Sequence, residues 1–229
     1  MTNASYKQFC PVAMAAEILC TRWTVVVVRE MLCGSTRFND LRRGIPRISP
    51  ALLSQRLKEL ESAGVIVRKG GKGEQGDYHL TPAGLELKPL VESFGLWGQR
   101  WIASELSLEN LDVSLLMWDM RRRINPAPMP RKTSVIQFQY SGLPAARRNW
   151  WLVVDPKSGT DLCSVDPGHE VDLYVATDLR TMTAIWMGLE TVRKALGDGR
   201  LKLTGDRKLA SDIQTWLGLS LFAPTKRAA

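Results

Sequence analysis

The side chains best suited to chemistry lie between Gly34 and Leu80. Ile48, Leu52, Leu53, Leu57 and Leu60 recur at helical spacing and define one buried face. The opposite face carries Ala51, Ser54, Gln55, Lys58 and Ser62. Small, polar and tipped with a cation, this face suits a surface that enters a DNA major groove and hydrogen-bonds base edges. Ser49 can cap the start of the helix, and Pro50 falls at the first helical position, where its missing N–H costs nothing. Gly64 can supply the left-handed residue that ends it.

Other chemistries find less support. The cysteines at 10, 20, 33 and 163 show no Cys-x-x-Cys spacing, and the only histidines are His79 and His169, so neither a metal site nor a cofactor is expected. Cys10 is the one thiol with a case for function, because it stands at the start of an expected helix, where a thiol pKa falls and oxidation becomes easier. The commoner situation is a small half-buried residue without a resolving partner. No Gly-x-Ser-x-Gly elbow occurs, and Asp161, Asp166, Glu170 and Asp172 fall on turns and on the polar side of strands, so no enzyme is expected. The stretch Gly71-Lys72-Gly73-Glu74-Gln75-Gly76 matches GxGxxG, but a nucleotide loop must open a helix and this one leads into a strand pattern.

The elements that must position the polar face are legible around it. Thr36 to Arg43 reads as a short helix that buries Phe38 and Leu41, stops at Gly44 and turns through Ile45-Pro46-Arg47. Val65–Lys69 and Asp77–Leu80 read as strands joined by a basic, glycine-rich loop, which makes a wing. Upstream, Cys10-Pro11 opens a helix through Leu19, and Thr21 can cap a second with Trp23, Val26, Val27, Glu30 and Met31 at helical spacing. The run Val25–Val28 favours a strand on propensity alone; the spacing, with the family resemblance given below, argues helix. After the wing, Thr81-Pro82 opens a long helix to about Ser104. Its stripe of Leu87, Leu90, Val91, Phe94, Trp97 and Trp101 exceeds what a three-helix domain needs to cover, as expected of a partner surface; packing on its own domain or on the second one is the alternative.

Charge concentrates on the same region. The chain carries net +8, and residues 37–72 alone hold 9 basic and 3 acidic side chains. Phosphate contacts need such an excess, although a solvated basic face is the bland alternative. The expected DNA contacts are Arg37, Arg47, Ser49, Pro50, Ala51, Ser54, Gln55 and Lys58, with Arg68, Lys69 and Lys72 from the wing. An apolar share of 45% and a charged share of 24% are those of a soluble globular protein. With no apolar run of about 18 residues and no basic leader before one, a cytoplasmic protein without membrane contact is expected.

Cys10-Pro11-Val12, Arg22-Trp23, Arg37-Phe38-Asn39-Asp40-Leu41, Ile48-Ser49-Pro50, Leu53 to Leu60 and Tyr78-His79-Leu80-Thr81-Pro82-Ala83-Gly84 together resemble the HxlR-type winged helix-turn-helix regulators of prokaryotes, over about residues 8–102. The resemblance implies double-stranded DNA as partner and a homodimer paired through the first and last helices of the winged domain. It also implies, in some members, oxidant sensing by a cysteine at the Cys10 position.

Beyond a linker at 104–110 the character changes. A helix from Leu111 to about Ile124 precedes strands at Ser134–Tyr140, Trp150–Val154, Asp161–Val165 and Val171–Ala176. Helices at 178–187 and 190–196, a strand at 200–203 and a helix at 206–217 come next, making an α+β domain. Val171 to Asp178, the helix with Met182, Ile185, Trp186 and Met187, and Ala195 to Asp206 with its Gly-x-Leu-x-Leu-x-Gly-Asp end resemble the sterol-carrier-protein type of lipid-binding domain. The expected organisation is thus α+β overall, with a winged helix-turn-helix domain at 1–104 and a sterol-carrier-like domain at 108–222. Trp150, Trp151, Met182, Trp186 and Met187 are natural lining for an apolar ligand, and equally natural core.

Two functions are compatible with these residues. One is a dimeric regulator reading a palindromic operator with helix 49–63 and wing 68–77, modulated by an apolar small molecule. The other is a lipid carrier or enzyme whose winged domain only mediates protein contacts. The basic excess over 37–72 favours the first, because a protein-binding module has no use for it.

Overall fold

The computed structural model describes residues 5–70, 76–102 and 108–228. The chain divides into two compact units, Met1–Gly95 and Leu96–Ala229.

The first unit opens with α1 (Pro11–Leu19), α2 (Thr24–Leu32), α3 (Phe38–Gly44) and α4 (Pro50–Ser62). The valine run is helical: Val27, Val28 and Met31 face the core from α2, so burial overrides the local preference of β-branched residues for strands. Thr21 does not cap this helix. Trp23, in a left-handed conformation, occupies the cap position without a side-chain bond, and the Thr24 amide instead closes a backbone turn onto the Thr21 carbonyl. Strands β1 (Ile66–Lys69) and β2 (Asp77–Leu80) pair antiparallel, Ile66 opposite Leu80 and Lys69 opposite Asp77. The core joins Val27, Val28, Leu41, Ile48, Leu53, Leu57, Leu60 and Ile66.

The base of the wing is locked to the start of the next helix. Thr81 Oγ1 accepts the Gly84 amide and donates to the Gly64 carbonyl at 2.7 Å. Gly84 packs so closely that a Cβ would lie 2.2 Å from the Val65 carbonyl oxygen. The helix expected to run unbroken to Ser104 comes in two pieces, α5 (Pro82–Glu86) and α6 (Lys88–Trp101). Pro89 explains the break, because it has no N–H to offer the carbonyl four residues back. Residues 103–107, where the helix was expected to end and the linker to begin, lie outside the described residues.

The second unit holds α7 (Val113–Arg123), β3 (Ser134–Ser141), α8 (Ala145–Arg148), β4 (Asn149–Asp155), β5 (Gly159–Cys163), β6 (Leu173–Asp178), α9 (Leu179–Trp186), α10 (Val192–Gly197), β7 (Leu201–Gly205), α11 (Arg207–Ser211) and α12 (Ile213–Trp216). The five strands are ordered β5-β4-β3-β6-β7, with β3 and β6 parallel and the other neighbours antiparallel. Alternation sends Ile136, Phe138 and Tyr140, with Trp150, Leu152 and Val154, to the face where α7, α9 and α12 pack. The helix expected at 206–217 is interrupted at Asp212, and there the Leu209 carbonyl accepts the indole N–H of Trp216 at 2.7 Å. The short helix α8, entered after Pro144, was not foreseen. Among the described residues no single helix is long and apolar enough to cross a membrane.

Candidate nucleic-acid interface

Helix α4 is built from local signals at both ends. The Leu52 amide donates to Ser49 Oγ at 3.3 Å, Pro50 opens the helix, and Gly64 takes a φ of 71° just beyond its end. Leu53, Leu57 and Leu60 are fully buried, while Leu52 is half-buried at the edge of the apolar face. The other side presents Ala51 and Lys58 exposed, with Ser54 and Gln55 half-exposed. Gln55 Nε2 donates to Glu59 Oε1 at 2.9 Å, and Arg56 pairs with the same carboxylate while its Nε donates to the Arg22 carbonyl. Burial pushes the Glu59 carboxyl up, but the hydrogen bonds from Arg56 and Gln55 and the Arg56 charge outweigh it and hold it below its ordinary value. Glu59 therefore holds Gln55 along the helix. Neither Arg56 nor Glu59 was singled out from sequence, although their i, i+3 spacing was there to read.

Around α4 stand the cations. Arg37 lies 3.7 Å from Asp77, and the Tyr78 amide donates to the Thr36 carbonyl at 2.8 Å, which ties strand β2 of the wing to the start of α3. A polar groove of about 520 Å³ runs between them, lined by Arg37, Asn39, Asp40, Arg43 and Asp77. On the wing, Arg68 extends over the Tyr78 ring at 5.9 Å and its amide donates to Glu61 Oε1, while Lys69 is exposed. Arg47, Ser49 and Pro50 are exposed at the turn into α4. Lys72 and the tip of the wing, 71–75, lie outside the described residues.

A second feature of this unit is apolar. Leu87 and Val91 are half-buried against the core, but Leu90 and Phe94 are exposed, Phe94 to 63%; further along α6, in the second unit, Trp97 and Trp101 are exposed as well. Helices α1, α2 and α6 enclose an apolar groove of about 430 Å³, bounded by Val12, Ala16, Leu19, Leu87, Leu90 and Phe94. Beside it, Cys10 stands at the N-cap of α1, where the amides of Ala13 and then Val12 hold its thiol below its ordinary pKa against a small opposing effect of burial.

In the second unit, Trp150, Met182 and Trp186 lie in the core and Met187 packs against it at the end of α9. Trp151 is next to Trp150 on β4 and so points to the opposite face of the sheet, away from that core. One cavity therefore cannot be lined by both tryptophans from the same face. The carboxylates hold turns and strands: Asp172 accepts the Val135 amide and Lys132 Nζ, both at 2.8 Å, and Asp166 accepts the Gly168 amide. Among the described residues no cluster of His, Cys, Asp and Glu is arranged to hold a metal ion.

Known proteins match each half. The HxlR-like helix-turn-helix family model matches residues 18–106. The uncharacterized HTH-type transcriptional regulator YvaP of Bacillus subtilis is 36% identical over 98 residues, which are 42% of this chain and 91% of the relative. The chain belongs to the HxlR-like helix-turn-helix family. Another relative, YybR of the same organism, is 32% identical over 41% of this chain and 76% of its own length. Among solved structures, the redox regulator HypR in its reduced form is 30% identical with a TM-score of 0.37, covering 39% of this chain and 91% of that one. The SCP-2 sterol transfer family model matches residues 125–218, which lie in the second unit of this HxlR-like protein. It is a transcriptional regulator of the helix-turn-helix type with DNA as its partner.

Proposed function

We propose that the protein acts as a homodimer in the cytoplasm, reading a palindromic operator with one α4 and one wing per half-site, and that an apolar small molecule in the second unit tunes its DNA affinity. The observation that carries this reading is the apolar groove between α1, α2 and α6, with Leu90, Phe94, Trp97 and Trp101 exposed along α6. A twofold pair through this face would present two reading helices to one site. The first test concerns the wing. Changing Arg68 and Lys69 to alanine is expected to weaken binding to all duplexes alike and to reduce the slope of log affinity against log salt by about two, one for each phosphate no longer neutralised. Wild-type affinity and slope in that variant would mean that the wing docks elsewhere.

The contribution of the second unit is open to titration. For a ligand to change DNA affinity tenfold it must prefer one dimer geometry by about 1.4 kcal/mol, and DNA must then change ligand affinity by the same factor. Fatty acids, sterols and aromatic metabolites titrated against tryptophan fluorescence, with and without DNA, would reveal it. A ligand bound equally in both cases does not regulate.

Cys10 adds a second mode of control, supported by the amides that favour its thiolate. Its reactivity should rise with pH through a pKa below that of an ordinary thiol. Mild peroxide is expected to lower operator affinity in the wild type and to leave Cys10→Ser unaffected. A serine variant that responds normally would remove Cys10 from the mechanism.

A further inference from the structure

Glu30, on α2, has no solvent exposure. A carboxylate in that position is costly unless it is paired, and an apolar side chain of similar size would fill the space without the desolvation cost. Its oxygens accept Ser35 Oγ at 2.6 Å and Arg29 Nη1 at 2.9 Å. Against it lies Gly44, the last residue of α3. A Cβ there would stand 2.0 Å from the carboxylate carbon and 2.1 and 2.3 Å from the oxygens. The carboxylate thus rests on the backbone at the point where the chain leaves α3. Five residues later Ser49 caps α4, after the turn in which the Ile48 amide donates to the Ile45 carbonyl. The carbonyl end of a helix is also the electrostatically unfavourable place for a negative charge, so Arg29 and Ser35 compensate a contact that charge alone would not choose.

We propose that Glu30 and Gly44 are a matched pair that sets the position of the recognition helix, which makes Glu30 a positioning residue for sequence reading without itself touching DNA. This rests on α4 being the element that enters the groove. An alanine at 44 requires more than about 1 Å of separation from the Glu30 carboxylate; because that carboxylate is fully buried and held by Ser35 and Arg29, the end of α3 takes part of the displacement. Hydrogen bonds from α4 to base edges do not survive such a shift, whereas long cationic side chains follow the phosphates.

The test uses a duplex selected by the wild-type full chain from a random-sequence pool, compared with a scrambled duplex of the same length at fixed salt. Gly44→Ala is expected to lower the ratio of the two affinities about tenfold or more, the scale of one good base contact, with the scrambled duplex bound as before. In Glu30→Ala/Gly44→Ala the vacated carboxylate space accepts the new methyl group, so the ratio should return to within about threefold of wild type. If Gly44→Ala alone fails to fold, a double variant that melts cooperatively and discriminates gives the same support. Wild-type discrimination by Gly44→Ala overturns the assignment. So does a double variant that is unfolded or discriminates no better than the single one. A wild-type protein that selects no duplex at all would instead defeat the DNA-reading assignment on which this one stands.

Discussion

Replacing Phe94 with glutamate is expected to turn a dimer into a monomer and to lower affinity for a palindromic duplex about a hundredfold or more. Phe94 is exposed to 63% and borders the apolar groove, so its ring contributes nothing large to the fold of its own unit. In a twofold interface it is buried twice, and each burial of such a ring is worth about 1.5–3 kcal/mol. A carboxylate at the same place must be desolvated twice, opposite its own symmetry mate. The monomer then holds one half-site and loses the gain from tethering two readers together. Sedimentation over a range of concentrations, together with anisotropy on the duplex, measures both effects. Leu85→Glu is the control, because Leu85 is 57% exposed yet does not line the groove. Equal sedimentation of Phe94→Glu and wild type would dismiss this face as the seam.

Substituting Ser54 and Gln55 together by alanine is expected to erase sequence discrimination while leaving non-specific binding intact. Each base contact that pairs well is worth about 1–3 kcal/mol of discrimination, so losing two costs on the order of a hundredfold in specificity. The fold should not notice. Both side chains lie on the side of α4 away from Leu53, Leu57 and Leu60, and the Gln55–Glu59 hydrogen bond is an exposed one of small net value. Binding measured on selected and scrambled duplexes separates this result from that of the wing variant, which should weaken both alike. Undiminished discrimination would move the reading role away from these two residues.

Residues whose partners are close in sequence were the legible ones. Ser49, Pro50 and Gly64 each act within a turn of the element they delimit, so the bounds of α4 could be read directly. The helix at the valines of α2 was legible through spacing together with the family resemblance, but its face only in part: Val26, placed on the expected stripe, is exposed, and Val28, left off it, is buried. The break before α6 was present in the chain as Pro89, but the cap signature at Thr81-Pro82 marks where a helix starts and says nothing of where it fails. Trp150 and Trp151 show the limit of grouping residues by type: adjacent strand positions point apart, and only the register tells which faces the core. The pairing of Glu30 with Gly44 was beyond reach, since a buried carboxylate in a helix looks like a solvated one until the tertiary fold brings the glycine against it.

Selection of a duplex from random sequence, with hydroxyl-radical footprinting and the mass of the complex, tests twofold DNA reading most directly. Two protected patches related by a twofold axis are expected, with centres about 10 base pairs or a multiple of that apart, and two chains on each duplex. A single protected patch held by one chain, with the Phe94→Glu protein binding it as tightly as wild type, would contradict it.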